Sequence, residues 1–406
     1  MKTSRKDKCL EAPLDPKSRS ELAVSIDAAY DLYRKDGDKK GTREFLEREI
    51  EGDFFVDLAM DICLTRKSAR NKFKCGERLF FTKEGLRWAT PEAAADHCAE
   101  RLSGKFTADI SCGQGGQILS LSRTNDEVLG IDKDPLNITI CEMNLRALGI
   151  DNVRTLCGDC LSDRSLSELR EGGYVFSDPA RPPGSRERAL DEIRPDPRDV
   201  RDHYGDRALA FCFEVPPYMG RDKVIFECEY EYVSIGARLN RLNLYTGDLK
   251  SCGVSVISLP SGERIEDGDP IAEIGPPGIT GDWLHELDHS VSRAGLVPQL
   301  ISRLEGSCGL IPIDDRRTLV SSDRKQRSEF LKNTYRLICR ASEENLVEML
   351  NEVGAGSVTL RWRMDPEIYW KERGRLESKL HGDRKVQLFR WDGYLIVEKV
   401  RGAGIK

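Results

Sequence analysis

No stretch of the 406-residue chain approaches eighteen consecutive apolar residues, so no transmembrane helix is expected. The opening Met1-Lys2-Thr3-Ser4-Arg5-Lys6-Asp7-Lys8 leads into no apolar segment, so no signal peptide is expected. Basic charge is not in surplus. The 69 acidic residues outnumber 63 basic ones, for a net of −6, which excludes a uniformly basic nucleic-acid coat but leaves room for a local basic face. A disulfide framework is also missing: thirteen cysteines, an odd number, are spread evenly along a long chain, as reduced thiols in a cytoplasm would be. Internal repeats and low-complexity tracts are absent. What remains is a globular composition, 39% hydrophobic and 33% charged. At roughly 100–200 residues per domain, the length allows two to four domains.

Residues 1–20 are polar. From about Glu21 to Arg70 apolar residues recur at helical spacing, as in Leu22-Ala23, Ile26, Ala29-Tyr30 and Phe54-Phe55, Leu58, Ile62. Gly37 and Gly41 are expected to bracket a turn. From Phe106 the rhythm changes to short apolar runs, Phe106–Ser111, Val128–Ile131, Val153–Leu156 and Tyr174–Ser177, alternating with helical segments. One of these is an amphipathic helix carrying Ile138, Cys141, Leu145 and Leu148, with Gly149 as its stop. Such alternation predicts an α/β domain with a parallel sheet. Residues 181–205 hold four prolines and many charges and are expected to form a long surface loop, a candidate lid. Strands are predicted at Leu209–Val215 and Val224–Ser234, with a return strand at Asn240–Tyr245. Residues 259–280, rich in Gly, Pro and Asp, are expected to be a linker. Beyond 326 a helix around Leu346, Met349 and Leu350 precedes a strand at Val358–Trp362. A hairpin then turns at Asp392-Gly393. Residues 326–406 carry 16 Lys/Arg against 12 Asp/Glu, so the basic surplus is C-terminal.

The chemistry concentrates where strands end. Asp109-Ile110-Ser111-Cys112-Gly113-Gln114-Gly115-Gly116 follows a strand and precedes a helix. Gly113 and Gly115 allow a tight turn and close backbone approach to a ligand. A dinucleotide site wants G-x-G-x-x-G, but the third glycine is replaced by Ile118, and Asp109 precedes the loop. A carboxylate there repels a pyrophosphate and suits an ammonium, which points to the methionine end of S-adenosylmethionine. At the end of the second strand, Asp132 can accept both ribose hydroxyls. Asp159, after the third, can accept from the adenine amine. Asp178-Pro179 ends the fourth. These acids follow in order at intervals of 23, 27 and 19 residues, each at the edge where a parallel sheet opens its crevice.

This order resembles a class I S-adenosylmethionine-dependent methyltransferase. Thr90-Pro91-Glu92 ahead of Asp109-x-x-Cys112-Gly113-x-Gly115-Gly116 resembles the trimethylguanosine synthase branch of RNA methyltransferases. More of the chain, roughly 70–400, resembles a family of prokaryotic methyltransferases with a C-terminal THUMP-like domain. That likeness runs through Leu79-Phe80-Phe81-Thr82-Lys83-Glu84-Gly85-Leu86, Asp178-Pro179-Ala180-Arg181, Glu231-Tyr232-Val233-Ser234 and Arg293-Ala294-Gly295-Leu296. With the periodicity of the first seventy residues, the expected organisation is a helical N-terminal region over 1–95 and, as the resemblance implies, a Rossmann-like methyltransferase domain over 96–258. A linker or small connecting subdomain over 259–325 and a THUMP-like α+β domain over 326–406 follow. The implied cofactor is S-adenosylmethionine, held by Asp109, Ser111, Gly113, Gly115, Asp132 and Asp159. The implied substrate is RNA, ribosomal or transfer, methylated in the cytoplasm with no metal and no membrane.

Methyl transfer from a sulfonium is an in-line displacement, so the enzyme mainly aligns donor and acceptor. By the same resemblance, Asp178 and Pro179 are the catalytic box: a side-chain oxygen and a backbone carbonyl accept the N–H bonds of a target amine. Ala180 stands in place of the usual second proline and Arg181 in place of a stacking aromatic. Arg181 is then the substrate-binding candidate, by stacking or by phosphate contact. A C5-pyrimidine mechanism needs a nearby Cys nucleophile, and no Cys lies between 161 and 211. Alternatives are a methyltransferase acting on protein or a small molecule, or a cofactor-binding RNA-associated factor without catalysis.

Other motifs have blander readings. His285-Glu286-Leu287-Asp288-His289 fits the zincin pattern H-E-x-x-H, which requires one helix carrying both histidines. Upstream prolines and the lack of an obvious third ligand favour coincidence. The lone C-x-x-C of Cys157 and Cys160 is expected to be a pair of ordinary free thiols. Arg361-Trp362-Arg363 and Tyr369-Trp370-Lys371 interleave aromatics with cations, as RNA contact would, though the aromatics could equally be core.

Overall fold

The computed structural model describes residues 10–179 and 190–400. The chain forms two compact units, one comprising residues up to Glu229 with Asn243–Ser251, the other Tyr230–Leu242 with everything from Cys252 onward. The first unit opens with helices α1 (Pro16–Asp36), α2 (Lys39–Glu49) and α3 (Asp53–Ala69). Asp15 caps α1 by accepting from Lys17 N and Ser18 N, Pro16 fills its first turn, and Gly37 ends it in the left-handed region at φ 73°. Gly41 does not bracket that turn; it lies inside α2, because Asp38 caps the helix ahead of it. Ile26, Leu46, Ala59, Ile62 and Phe80 form a buried cluster that Ile140 and Met143 complete. Burial of each such large side chain contributes about 1.5–3 kcal/mol.

After α4 (Lys83–Trp88) and α5 (Glu92–Arg101) comes the expected alternation. It runs β1 (Gly104–Asp109), α6 (Ile118–Thr124), β2 (Asn125–Asp132), α7 (Pro135–Leu148), β3 (Val153–Cys157), α8 (Asp163–Glu168), β4 (Gly173–Ser177), α9 (Pro197–Tyr204) and β5 (Ala208–Val215). The five strands are parallel in the order β3-β2-β1-β4-β5. The chain starts at β1, runs outward to β3, then returns to the other side of β1. That reversal opens a crevice beyond the carboxyl ends of β1 and β4. The Rossmann-like α/β expectation is therefore borne out, as is the helical N-terminal region. Residues 181–205 differ from the expected loop in part. Residues 180–189 lie outside the described residues, but 197–204 form α9, capped by Asp196 with Pro197 at its start, and Val200 and Tyr204 are buried.

Strands β6 (Glu229–Ile235) and β7 (Leu239–Tyr245) carry the chain across the division. The second unit continues with β8 (Val254–Leu259), parallel to β6, and β9 (Glu263–Glu266), antiparallel to β8. Then come β10 (Trp283–Leu287), α10 (His289–Ala294), α11 (Val297–Ser302), β11 (Cys308–Asp314), β12 (Arg317–Ser322), β13 (Leu331–Ala341), α12 (Leu346–Glu352), β14 (Ala355–Leu360), α13 (Pro366–Glu377), β15 (Arg384–Arg390) and β16 (Tyr394–Val400). A seven-stranded sheet is ordered β11-β12-β10-β13-β16-β15-β14. Thus residues 259–325 hold β9 to β12, and three of those strands share a sheet with the segment beyond 326. The β15–β16 hairpin turns as the sequence predicted, with Asp392 and Gly393 at φ 44° and 91°. Among the described residues, no helix is long and apolar enough to cross a membrane.

Candidate active site

Four loops meet at the carboxyl ends of β1 to β4. Asp109 closes β1 and is buried, 1% exposed, with Oδ1 accepting from Ser111 N at 3.0 Å. Burial, joined by the negative charges of Asp132 and Glu214, pushes its carboxyl up to about 7. A buried carboxylate so disfavoured calls for a cationic partner. The loop beyond turns on Gly113 and Gly115, at φ 52° and 94°, and is closed by Gly115 N donating to Cys112 O at 2.9 Å. A Cβ on Gly115 would stand 3.0 Å from Cys141 Sγ, whereas Gly113 faces open space.

Asp132 ties this loop to the next element. Its Oδ2 accepts from Gly113 N at 3.0 Å, and its Oδ1 accepts from Asp134 N at 2.8 Å and Asn137 Nδ2 at 3.3 Å. Three of a carboxylate's roughly four acceptor positions are thereby filled. Burial raises its pKa despite those bonds. Asp159 is exposed; its Oδ1 accepts from Leu161 N at 2.9 Å. Its loop is braced from α9, where the Tyr204 hydroxyl donates to Cys160 O and the His203 ring meets Ser162 O at 3.2 Å.

The end of β4 joins the same assembly through Ser111, whose Oγ accepts from Asp178 N at 2.7 Å. Asp178 is half-buried and Pro179 buried. Ala180 and Arg181 lie outside the described residues. The structure thus gathers Asp109, Ser111, Gly113, Gly115, Asp132 and Asp178 into one hydrogen-bonded neighbourhood. Asp159 sits at the adjoining strand end, where Gly158 N donates to Asp132 O at 3.0 Å.

The N-terminal region supplies a brace that periodicity did not reveal. Gln114 Oε1 accepts from Thr82 N at 3.0 Å while its Nε2 donates to Thr82 Oγ1 at 2.9 Å. Buried Asn144 of α7 accepts from Phe80 N at 2.6 Å and donates to both Phe80 O and Gln114 O at 2.9 Å. Thr90 is buried, and its nitrogen is 3.4 Å from where a Cβ on Gly116 would lie. One functional candidate was passed over. Glu214, at the end of β5 and followed by Pro216-Pro217-Tyr218, extends the rule of an acid at each strand end by one strand. That repetition was the available signal.

The remaining motifs take structural roles. His285 lies on strand β10 and His289 on α10, with Asp288 capping the helix between them, so no single helix presents both rings. His285 is fully buried. Its Nε2 accepts from Gln326 N at 3.3 Å and its Nδ1 meets Thr334 Oγ1 at 3.2 Å. Burial lowers its pKa to about 4, leaving it neutral. Among the described residues, no group of three His, Cys, Asp or Glu could hold a metal. Cys157 and Cys160 are free thiols; burial raises the first and pushes the second up to about 11, which disfavours the thiolate in both. Arg361 is held by Glu286 at 2.6 Å, and Trp362 packs edge-on to Tyr394 beside the core. Trp370, by contrast, is 65% exposed, with the Arg373 guanidinium 5.4 Å over its ring.

Residues 104–191 match the family model described as RNA cap guanine-N2 methyltransferase. Two curated Mycobacterium tuberculosis proteins, described as uncharacterised S-adenosylmethionine-dependent methyltransferases, are 29% identical over 249 residues. That alignment takes in 60% of this chain and 66% of theirs, so the chain spans just under two thirds of the relatives' length. A 23S rRNA (uracil-C5)-methyltransferase of Aeromonas salmonicida is 41% identical over 76 residues, 18% of this chain and 17% of that protein. The crystal structure of a proposed methyltransferase from Porphyromonas gingivalis W83 superposes with a TM-score of 0.71 at 15% identity, covering 96% of this chain and 100% of that one. The likeness is to methyltransferases. With the last protein, at that identity, what is shared is the fold.

Proposed function

We propose that the chain is an S-adenosylmethionine-dependent methyltransferase that acts on RNA and methylates the exocyclic N2 amine of a guanine. Buried Asp109 beside the glycine turn carries this reading: an anion displaced upward by burial is a receptor for an ammonium, and the open space at Gly113 admits a ligand against bare backbone. The bound cofactor would supply an electrophilic methyl group. Asp109 would hold its ammonium, Asp132 with its remaining acceptor capacity a ribose hydroxyl, and Asp159 the adenine amine. Asp178 would accept one N–H of the target, fixing the nitrogen lone pair in line with the methyl. Transfer would form the N–C bond at the expense of the S–C bond, and the amine held by Asp178 would release one proton to solvent.

The guanine assignment is supported by the family match over 104–191. A uracil-C5 target is disfavoured because the first Cys after the box, Cys212, is buried within β5 with its Sγ 3.8 Å from Cys98 Sγ. The second unit, with its THUMP-like resemblance and exposed Trp370–Arg373 pair, is assigned to holding RNA, and the enzyme to the cytoplasm. The test is transfer of labelled methyl from the cofactor into total RNA or protein, followed by nucleoside mass spectrometry. Label in N2-methylguanine is expected. Asp178→Ala should lower turnover at least 100-fold with cofactor affinity nearly unchanged. Label found only in protein, or normal turnover by that variant, overturns the proposal.

A further inference from the structure

We propose that Glu214 reads the Watson–Crick edge of the target guanine, accepting from N1–H and from one hydrogen of the N2 amine while Asp178 accepts the other. The inference rests on the guanine reading above and deepens it. Ser177 lies beside Phe213 in the parallel register of β4 and β5, so Asp178 and Glu214 are the next residues out on the two strands. Asp109, Phe176 and Cys212 stand in one row across β1, β4 and β5. Side chains alternate along a strand, so Glu214, two residues beyond Cys212, projects from the same sheet face as Asp109, near the carboxyl end of β5. The influence of its charge on Asp109 agrees with that placement. Glu214 is half-buried, between buried Phe213 and Val215. The chain then passes into Pro216-Pro217, which closes with Met219 N donating to Pro216 O at 2.9 Å and is anchored by the buried Met219 side chain. The carboxylate therefore stands on a stiff stem.

The spacing suits an amine. Neighbouring strands lie about 4.8 Å apart. Two acceptors each about 2.9 Å from one planar nitrogen, at about 120° to each other, are themselves about 5 Å apart. Acceptors on adjacent strand ends can thus take the two N–H bonds of one amino group, leaving its lone pair perpendicular and free. The same carboxylate also discriminates among bases. Guanine presents two adjacent donors, N1–H and N2–H, which a carboxylate accepts bidentately. Adenine and cytosine place an acceptor beside their amine, and uracil flanks its single donor with two acceptors, so each would set a lone pair against Glu214.

The experiment compares wild type with Glu214→Gln on an RNA carrying either guanine or 1-methylguanine at the modified position, whose N1 has no hydrogen. Cofactor affinity and thermal midpoint serve as folding controls. For wild type, 1-methylguanine should lower kcat/KM about 100-fold, the cost of a charged acceptor that loses one donor and meets a methyl group instead. Glu214→Gln should lower kcat/KM on guanine by a similar factor and respond far less to the 1-methyl group, because effects through one contact do not add. Equal penalties in the two proteins, or unimpaired Glu214→Gln, overturn the inference while leaving the function standing. Should the variant not fold, full wild-type activity on 1-methylguanine overturns it alone. If wild type places no methyl on guanine N2, the functional reading falls and takes this inference with it.

Discussion

Asp109 shows how one residue sets the terms of the site. Its carboxyl, ordinarily near 3.8, titrates at about 7 because it is buried. Between about pH 4 and 7 the folded chain retains a proton that the unfolded chain has lost, so this group's contribution to stability declines as pH rises through that window. A cation in the pocket favours the ionised form and reverses the trend. The thermal shift produced by S-adenosylmethionine should therefore grow from pH 5.5 to 8, with cofactor affinity weakening about tenfold per unit below 7. Asp109→Asn should bind weakly and lose that pH dependence, which calorimetry across the range would reveal. The acid was legible in the sequence because it ends a recognisable strand ahead of two glycines. Its titration was not, since burial depends on segments far away in the chain.

At the scale of elements, the strands of the first unit were readable because they are short apolar runs bounded by turns, and α7 because its stripe ends at Gly149. Helix α9 was missed because four prolines read as a loop, although Pro197 occupies a first-turn position where its absent N–H costs nothing. The histidine motif misleads for the converse reason: five residues carry no period, and the segment is half strand and half helix. The bracing of the glycine loop by residues 79–90 left no local pattern, being made of amide pairings across more than thirty positions. Gly85 exposes that brace, since a Cβ there would lie 2.0 Å from Gln114 Oε1. Gly85→Ala should destabilise the protein by about 1–3 kcal/mol and weaken cofactor binding, measurable by thermal denaturation and titration; an unchanged midpoint would count against the brace.

For the molecule as a whole, the sequence points to an α/β body and a small α+β unit over 326–406, with a division at the Gly/Pro-rich stretch. The division by packing falls within β6 and β7 instead, because residues 283–322 complete the second sheet. That unit is organised around Glu286, which receives Arg361 Nη2 at 2.6 Å, Asn333 Nδ2 at 2.7 Å, Tyr335 Oη at 3.0 Å and Arg317 Nε at 3.1 Å. Burial opposes its ionisation, but Arg361 and Arg317, with the bonds from Asn333 and Tyr335, hold its carboxyl below the usual range. Removing it leaves Arg361 without a carboxylate partner and Arg317 with Asp314 alone, so Glu286→Ala should cost about 3 kcal/mol. Differential scanning calorimetry should show the loss, with S-adenosylmethionine affinity retained. Loss of that affinity would show that the two units are not energetically separate.

One hydroxyl has a thermodynamic consequence. Ser111 Oγ, two residues from the carboxylate proposed for the donor's ammonium, also orients the backbone of the residue proposed to grip the acceptor. A ligand that shifts Ser111 shifts the Asp178 backbone with it, and the resulting coupling is equal in both directions. On the proposed function, the acceptor RNA should bind several-fold more tightly to the cofactor-loaded protein than to the empty one, and Ser111→Ala should erase that cooperativity while sparing each separate affinity more. On the proposed function, either ligand arriving first would then help to recruit the other.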